Sequence, residues 1–290
     1  MATHTKSEKV YAVKVMSKYG LIKQKQADHA KNEKEILQSI SHPFIVNMNG
    51  FDQDTRCIYI IQDFIRGGEF LTLLKQKRTL DIDCARFFAT QMVLMLKYLH
   101  NNNILYRDLK PENMLVDKSG YLKFIDFGLS KKVYSKTYTI CGTPHYIAPE
   151  VLTGGGYGEA ADLYSLGVVL YEILVGVMPF DADNHKDLFQ KIIKDKPKFP
   201  KNIDRSAYRL IKSLLNKNPT ERKSIPEIMK SSFFKGTDFD GILMKDLEPP
   251  FFPSVKSDND TSNFKQIKAP MLSKENCPKL LPKDDIFLDW

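Results

Sequence analysis

The chain has 290 residues, 42% of them hydrophobic, which is enough for a large buried core in one domain or in two unequal lobes. Its net charge of +8 is unevenly spread: residues 236–290 hold seven Lys against ten Asp or Glu, so the excess of basic charge lies before them. No zinc-finger or RNA-binding signature accompanies that basic body, which argues against a nucleic-acid partner and for a solvated surface with something anionic to hold.

Lys9–Met16 (KVYAVKVM) alternates polar and apolar residues and predicts a strand that carries Lys14. Gln26–Ile40 predicts a helix, with Ala30, Ile36, Leu37 and Ile40 near a 3.6-residue period and Glu33 among them; His42-Pro43 ends it. Phe44–Met48 and Cys57–Gln62 read as strands joined by a turn at Asp52-Gln53-Asp54. Gly67-Gly68-Glu69 opens the next helix, and Cys84–His100 places Ala85, Phe88, Met92, Met95, Leu96 and Leu99 on one helical stripe, with His100 structural. Two short strands flank a Lys118-Ser119-Gly120 turn. Ala160–Val175 is apolar nearly all round and predicts a buried central helix with Asp162 at its start. Two more helices are expected at Arg205–Leu215 and Ile225–Lys230. From Thr237 the chain is Pro-rich and polar and, taken alone, reads as a disordered tail.

The N-terminus, MATHTKSEKV, has no apolar core of a signal peptide, and the most apolar stretch, Leu166–Phe180, is too short and too charged, with Glu172, to span a bilayer. Cys57, Cys84, Cys141 and Cys277 show no metal or redox spacing, so free thiols, a reducing compartment and a cytoplasmic location are expected.

The chemistry-bearing residues gather in YRDLKPEN, Tyr106–Asn113, followed by Asp126-Phe127-Gly128, Ala148-Pro149-Glu150 and Asp162-Leu163-Tyr164-Ser165-Leu166-Gly167. In this order and at these intervals the motifs resemble those of eukaryotic protein kinases, and the likeness runs from about Val10 to the end of the chain. It implies an α+β, bilobal fold: a partial small lobe at 1–62, a hinge at 63–66, a mainly helical lobe at 67–235 and a tail at 236–290 that wraps the small lobe. It also implies ATP and Mg²⁺. In the family's pattern Asp108 orients the substrate hydroxyl, Lys110 neutralises the transferred phosphate, Thr143 contacts both, and Asn113 and Asp126 hold the metal. Lys14 matches the strand lysine that meets the phosphates and Glu33 its partner. Ala12, Asp63, Ile65, Leu115 and Phe264 match the nucleotide pocket, and Gln62 falls at its back, where a polar residue is a departure. Lys110 after Asp108, and Gly142-Thr143-Pro144, resemble Ser/Thr rather than tyrosine kinases.

PPFFPSV, Asp260–Phe264 and the terminal Phe287-Leu288-Asp289-Trp290 resemble the tail of the AGC group, with Phe287 and Trp290 docking beside the Glu33 helix. The likeness is greatest to cyclic-nucleotide-dependent kinases, slightly nearer the cyclic-GMP type. It makes Glu69, Glu112 and Glu172 readers of basic residues upstream of the acceptor in protein substrates. Thr139 becomes a phosphosite facing Arg107, Lys131 and His29, Glu150 pairs with Arg222, and Asp162 anchors the catalytic loop. His145 stands where close relatives carry Glu. The family's glycine-rich loop and first two strands are missing: thirteen residues precede Lys14, and the first glycine is Gly20. The expectation is a truncated reading of a longer chain, whose missing part could include regulatory cyclic-nucleotide-binding domains, a separate regulatory subunit being the other form such a partner could take. The alternatives are a naturally short, weakened kinase and a pseudokinase scaffold.

Overall fold

The computed structural model describes residues 1–265, 277–280 and 285–290. Its smaller lobe is a four-stranded antiparallel sheet in the order β1-β2-β4-β3: β1 (Ala2–Thr3), β2 (Val10–Ser17), β3 (Met48–Gln53) and β4 (Cys57–Asp63). The two-residue β1 is a strand the sequence reading does not contain. Pairing of β2 with β4 sets Lys14 opposite Ile60 and Ala12 opposite Gln62. Two helices, α1 (Lys18–Lys23) and α2 (Ala27–Ser39), connect β2 to the rest of the sheet. On α2 the buried face is Ala27, Ala30, Glu33, Ile36 and Leu37, as its period demands.

The expected strand at Phe44–Met48 is displaced: β3 starts only at Met48, and the turn is Asp54–Arg56 rather than Asp52–Asp54. Phe44, Ile45 and Val46 are almost fully buried, and their backbone pairs with Phe124 of the other lobe instead of with the sheet. An apolar run buried on every side does not keep the two-residue alternation of a half-exposed strand. The turn follows Asp54, whose Oδ1 accepts from the N–H groups of Arg56 and Cys57.

The larger lobe contains α3 (Phe70–Lys77), α4 (Ile82–Asn101), α5 (Pro149–Thr153), α6 (Glu159–Val175), α7 (His185–Lys194), α8 (Arg205–Leu214), α9 (Ile225–Met229) and α10 (Phe239–Met244). Two small hairpin-like pairs face the other lobe: β5 (Ile104–Leu105) with β8 (Lys131–Lys132), and β6 (Met114–Val116) with β7 (Leu122–Phe124). Asp81 starts α4 by accepting from the N–H groups of Asp83 and Cys84, and Gly176, at φ +82°, ends α6. The α4 stripe from Ala85 to Leu99 is wholly buried against α6. The helices α1, α5, α7 and α10 were not anticipated; α7 buries only Leu188 and Ile192, with Phe189 packed beside them, and α10 lies in the stretch read alone as disordered and buries Ile242 near α4. The tail assigned to 236–290 therefore opens with a helix of the larger lobe. Residues 266–276 and 281–284 of that tail lie outside the described residues.

Candidate active site

Asp162, in the first turn of α6, is where the site is anchored. It is buried, and its two oxygens accept the N–H of Tyr106 at 2.9 Å, the N–H of Arg107 at 2.8 Å and His100 Nε2–H at 2.8 Å. Arg107 has φ +67°, a left-handed backbone that a side-chain-bearing residue adopts only when its surroundings hold it there. The carboxylate at the start of α6 also meets the positive end of the helix dipole. His100 thus joins the anchor as a structural group.

The loop so held presents a tight polar cluster. Asp108 Oδ1 accepts from Thr143 Oγ1 at 2.9 Å; its Oδ2 accepts from Lys110 Nζ at 2.7 Å and Asn113 Nδ2 at 2.8 Å. Lys110 Nζ also donates to Thr143 Oγ1 at 2.6 Å, and Asn113 Nδ2 to the Asp108 carbonyl. Three residues from two segments thereby fix one carboxylate, leaving Asn113 Oδ1 without a hydrogen bond among the described residues.

From the opposite lobe Lys14 Nζ donates to both oxygens of Glu33, at 2.7 and 2.8 Å, and lies 3.6 Å from Asp126 Oδ1. Burial opposes the charge on both partners. For Lys14 the Glu33 and Asp126 carboxylates outweigh burial and hold the ammonium above its usual pKa. For Glu33 burial outweighs Lys14 and pushes the carboxyl up. Asp126 is about half exposed, with Oδ1 accepting the Gly128 N–H at 3.0 Å.

Ala12, Lys14, Asp63, Ile65, Leu115 and Phe264 line one cavity of about 340 Å³ that also reaches Asp126; Glu33 stands behind Lys14, not on the wall. Phe264, from the tail, lies 6.0 Å from the Phe64 ring. Gln62 is buried in the same wall, and its Nε2 has no partner among the described residues. A buried amide donor without an acceptor costs about 1–3 kcal/mol, so this wall suits a ligand with a polar edge rather than a purely apolar one.

Elsewhere the placements are more scattered. Arg222 forms a bidentate pair with Glu150 at 2.6 and 2.7 Å and donates to the Ala160 carbonyl. Glu172 accepts from Tyr146 Oη at 2.7 Å, and burial, aided by nearby Glu112, raises its carboxyl. Glu69 caps α3 and accepts from Thr72. Thr139 is exposed; its carbonyl accepts from Tyr157 Oη, which in turn receives Arg107 Nη1 at 3.3 Å. Lys131 reaches Thr137 at 3.4 Å, and His29 sits in the first turn of α2 with no hydrogen bond among the described residues. Of the expected cationic trio, only Arg107 is tied to Thr139, and through Tyr157. Phe287 is fully buried with Ala27, Ala30 and Ile58, and Trp290 packs on that cluster beneath Lys34.

Two residues of this framework carried no sequence signal. Tyr157 sits in a bare glycine-rich run, and Lys18 looks like any lysine after a strand. Yet Lys18 is buried, donating to Gln53 Oε1 and Asp285 Oδ2, both at 2.6 Å.

The family model described as the protein kinase domain matches residues 1–234. The chain belongs to the protein kinase family. It is 38% identical over 278 residues to the cAMP-dependent protein kinase catalytic subunit PRKX of Mus musculus, covering 94% of this chain and 78% of that one. It is 39% identical over 272 residues to a RAC family serine/threonine-protein kinase homolog of Dictyostelium discoideum, covering 91% and 61%. A cAMP-dependent protein kinase catalytic subunit 3 of Drosophila melanogaster is 38% identical over 263 residues, covering 89% and 45%. These likenesses place the chain in the AGC group of serine/threonine kinases, with the bilobal α+β fold described above. No helix among the described residues is long and apolar enough to cross a membrane.

Proposed function

We propose that this chain transfers the γ-phosphoryl group of ATP to serine or threonine hydroxyls of proteins, preferring basic residues two and three before the acceptor, in cytoplasmic cyclic-nucleotide signalling. The observation that carries the reading is the 3.6 Å approach of Lys14, from one lobe, to Asp126, from the other, at the mouth of a cavity walled by β2, β4 and β6.

The residues present fit the nucleotide and the metal. The unpartnered Gln62 amide gives the apolar wall a hydrogen-bonding group for a heterocycle, and Lys14 supplies a charge for phosphate. Asn113 and Asp126 are the two protein oxygens a magnesium ion takes when phosphates complete its shell, consistent with no cluster of three acidic, His or Cys ligands among the described residues. Bound ATP·Mg²⁺ supplies the electrophilic phosphorus and a cation against its charge. Asp108, immobilised by Thr143, Lys110 and Asn113, accepts the proton of an incoming hydroxyl and aims its oxygen. Lys110 sits beside Asp108 to offset charge gained there. Glu69, Glu112 and Glu172 are the carboxylates that read the basic residues of the substrate in this proposal. Thr139 is the modification site of the activation segment, where an added phosphate meets Arg107, Lys131 and His29.

The test is phosphate transfer to an arginine-rich peptide. Asp126→Ala removes the metal carboxylate and lowers the rate at least about 10³-fold; equal rates for wild type and variant overturn the reading. Thr139→Ala lowers the rate more modestly, and an unchanged rate in fully dephosphorylated protein counts against its role. A non-catalytic scaffold is the second reading. It requires peptide binding without transfer.

A further inference from the structure

Cys57 opens β4, and Cys277 comes 220 positions later, in the tail. Both are buried, both are free thiols, and their sulfurs are 3.2 Å apart. The approach is built into the docking of the tail rather than left to two isolated side chains. Arg56 Nη1 donates to the Cys277 carbonyl at 3.2 Å, the Cys277 thiol donates to the Arg56 carbonyl at 3.5 Å, and the Leu280 N–H donates to the Thr55 carbonyl. The turn of Asp54–Arg56 is itself clamped by Asp54. A short distance beyond, Asp285 meets the buried Lys18, and Phe287 enters the Ala27–Ala30–Ile58 cluster.

We propose that Cys57 and Cys277 are a disulfide-forming pair, oxidised by a peroxide or a small disulfide, that turns the docked tail into a covalent strap over the smaller lobe. A disulfide needs sulfurs about 2.05 Å apart, so closure requires a movement of roughly 1.2 Å. With a peroxide, one thiolate takes the oxygen as a sulfenic acid and releases water. The second sulfur then displaces that oxygen as a second water, so two thiols and one peroxide give one S–S bond and two waters. With a small disulfide the two electrons leave as two small thiols. Burial, with the Cys277 sulfur alongside, pushes the Cys57 thiol up to about 12, so docked Cys57 is nearly all thiol at neutral pH and the bridge forms slowly. The other cysteines are poor alternatives. Cys84 is buried and pushed up to about 11 by burial; Cys141 is half exposed, but its sulfur neighbours Tyr157 Oη, not another sulfur.

The experiment treats the full chain with hydrogen peroxide or oxidised glutathione, alkylates it in denaturant, and reads intact mass and a non-reducing peptide map. Expected are a mass lower by two hydrogens, two fewer alkylated thiols, and one cross-linked peptide pair carrying Cys57 and Cys277, all reversed by a reductant. A Cys84→Ser/Cys141→Ser chain keeps the bridge, whereas Cys57→Ser or Cys277→Ser loses it. After tryptic nicking between the two positions, the tail fragment stays attached on a non-reducing gel and leaves on reduction. Oxygen adducts without a bridge, or a bridge to Cys84 or Cys141, overturn the proposal. The wild-type map alone decides it if a serine variant fails to fold, and none of these readouts depends on phosphate transfer.

Discussion

Along α6 every residue from Ala161 to Tyr171 is buried, and the side chains that bury it come from α4 and α8 of the same lobe. On β2, the strand that carries Lys14, only Val10 is buried. The smaller lobe completes its core with parts from far along the chain: Phe287 fills the space between α2 and Ile58, Asp285 neutralises the buried Lys18, and Cys277 meets Cys57. One lobe is stabilised by neighbours in sequence and space; the other depends on a segment more than two hundred residues away. The reactive groups divide the same way. Asp108 is held by four hydrogen bonds and salt bridges within the larger lobe, whereas Lys14 depends on a helix whose first turn is covered by the tail.

The sharpest break of this contrast is Arg222→Ala. Arg222 has no exposed side-chain surface, and its loss leaves Glu150 buried without a partner, which costs about 4 kcal/mol. Denaturant unfolding should show that loss in the larger lobe's transition. A shift within a few tenths of a kcal/mol would mean that the pair is solvated and the lobe less self-contained than it looks. Next comes Phe287→Ala, a buried aromatic removed from a small cluster, at about 3 kcal/mol. Its signature is local: amide exchange should accelerate in α2 and β4 while α6 stays protected. Equal acceleration in α6 would dissolve the distinction between the lobes.

What the sequence disclosed follows the same division. The α4 and α6 helices were legible because their apolar residues repeat at helical spacing and the neighbours that cover them impose no other pattern. The cluster around Asp108 was legible through motif spacing, since Asp108, Lys110 and Asn113 lie within six positions and a single loop conformation brings them together. Lys18 was not legible, because nothing local distinguishes a lysine destined for burial; its partner Asp285 is 267 positions away. Phe44–Val46 misled for a related reason. The run has strand composition, but its partner is Phe124 of the other lobe, so the strand that composition predicts begins only at Met48. The helix α7 was missed because two buried residues make too thin a stripe to stand out from its charged neighbours.

His42 lies where the two lobes join and offers the gentlest probe of that seam. Its ring packs on Phe44 and Tyr98, its Nδ1 accepts the Phe44 N–H at 3.2 Å, and it faces Lys123, whose ammonium donates to the Ile45 carbonyl. An acceptor nitrogen requires the neutral ring; burial, then Lys123, lowers its pKa to about 4. In the unfolded chain the ring takes up its proton near pH 6.5, so the unfolded state binds more protons between about 6.5 and 4. The stability that His42 confers is therefore complete above about pH 6.5, declines as the pH falls towards 4, and levels off below. Allowing for partial screening, the loss between pH 7 and 5 is about 1–2 kcal/mol. His42→Gln keeps an acceptor for the Phe44 N–H without a titrating group, so the variant's stability should be flatter across that range. Parallel slopes for the two proteins would show that the proton enters elsewhere. A flatter variant would place one pH-sensitive contact at the junction of the two lobes.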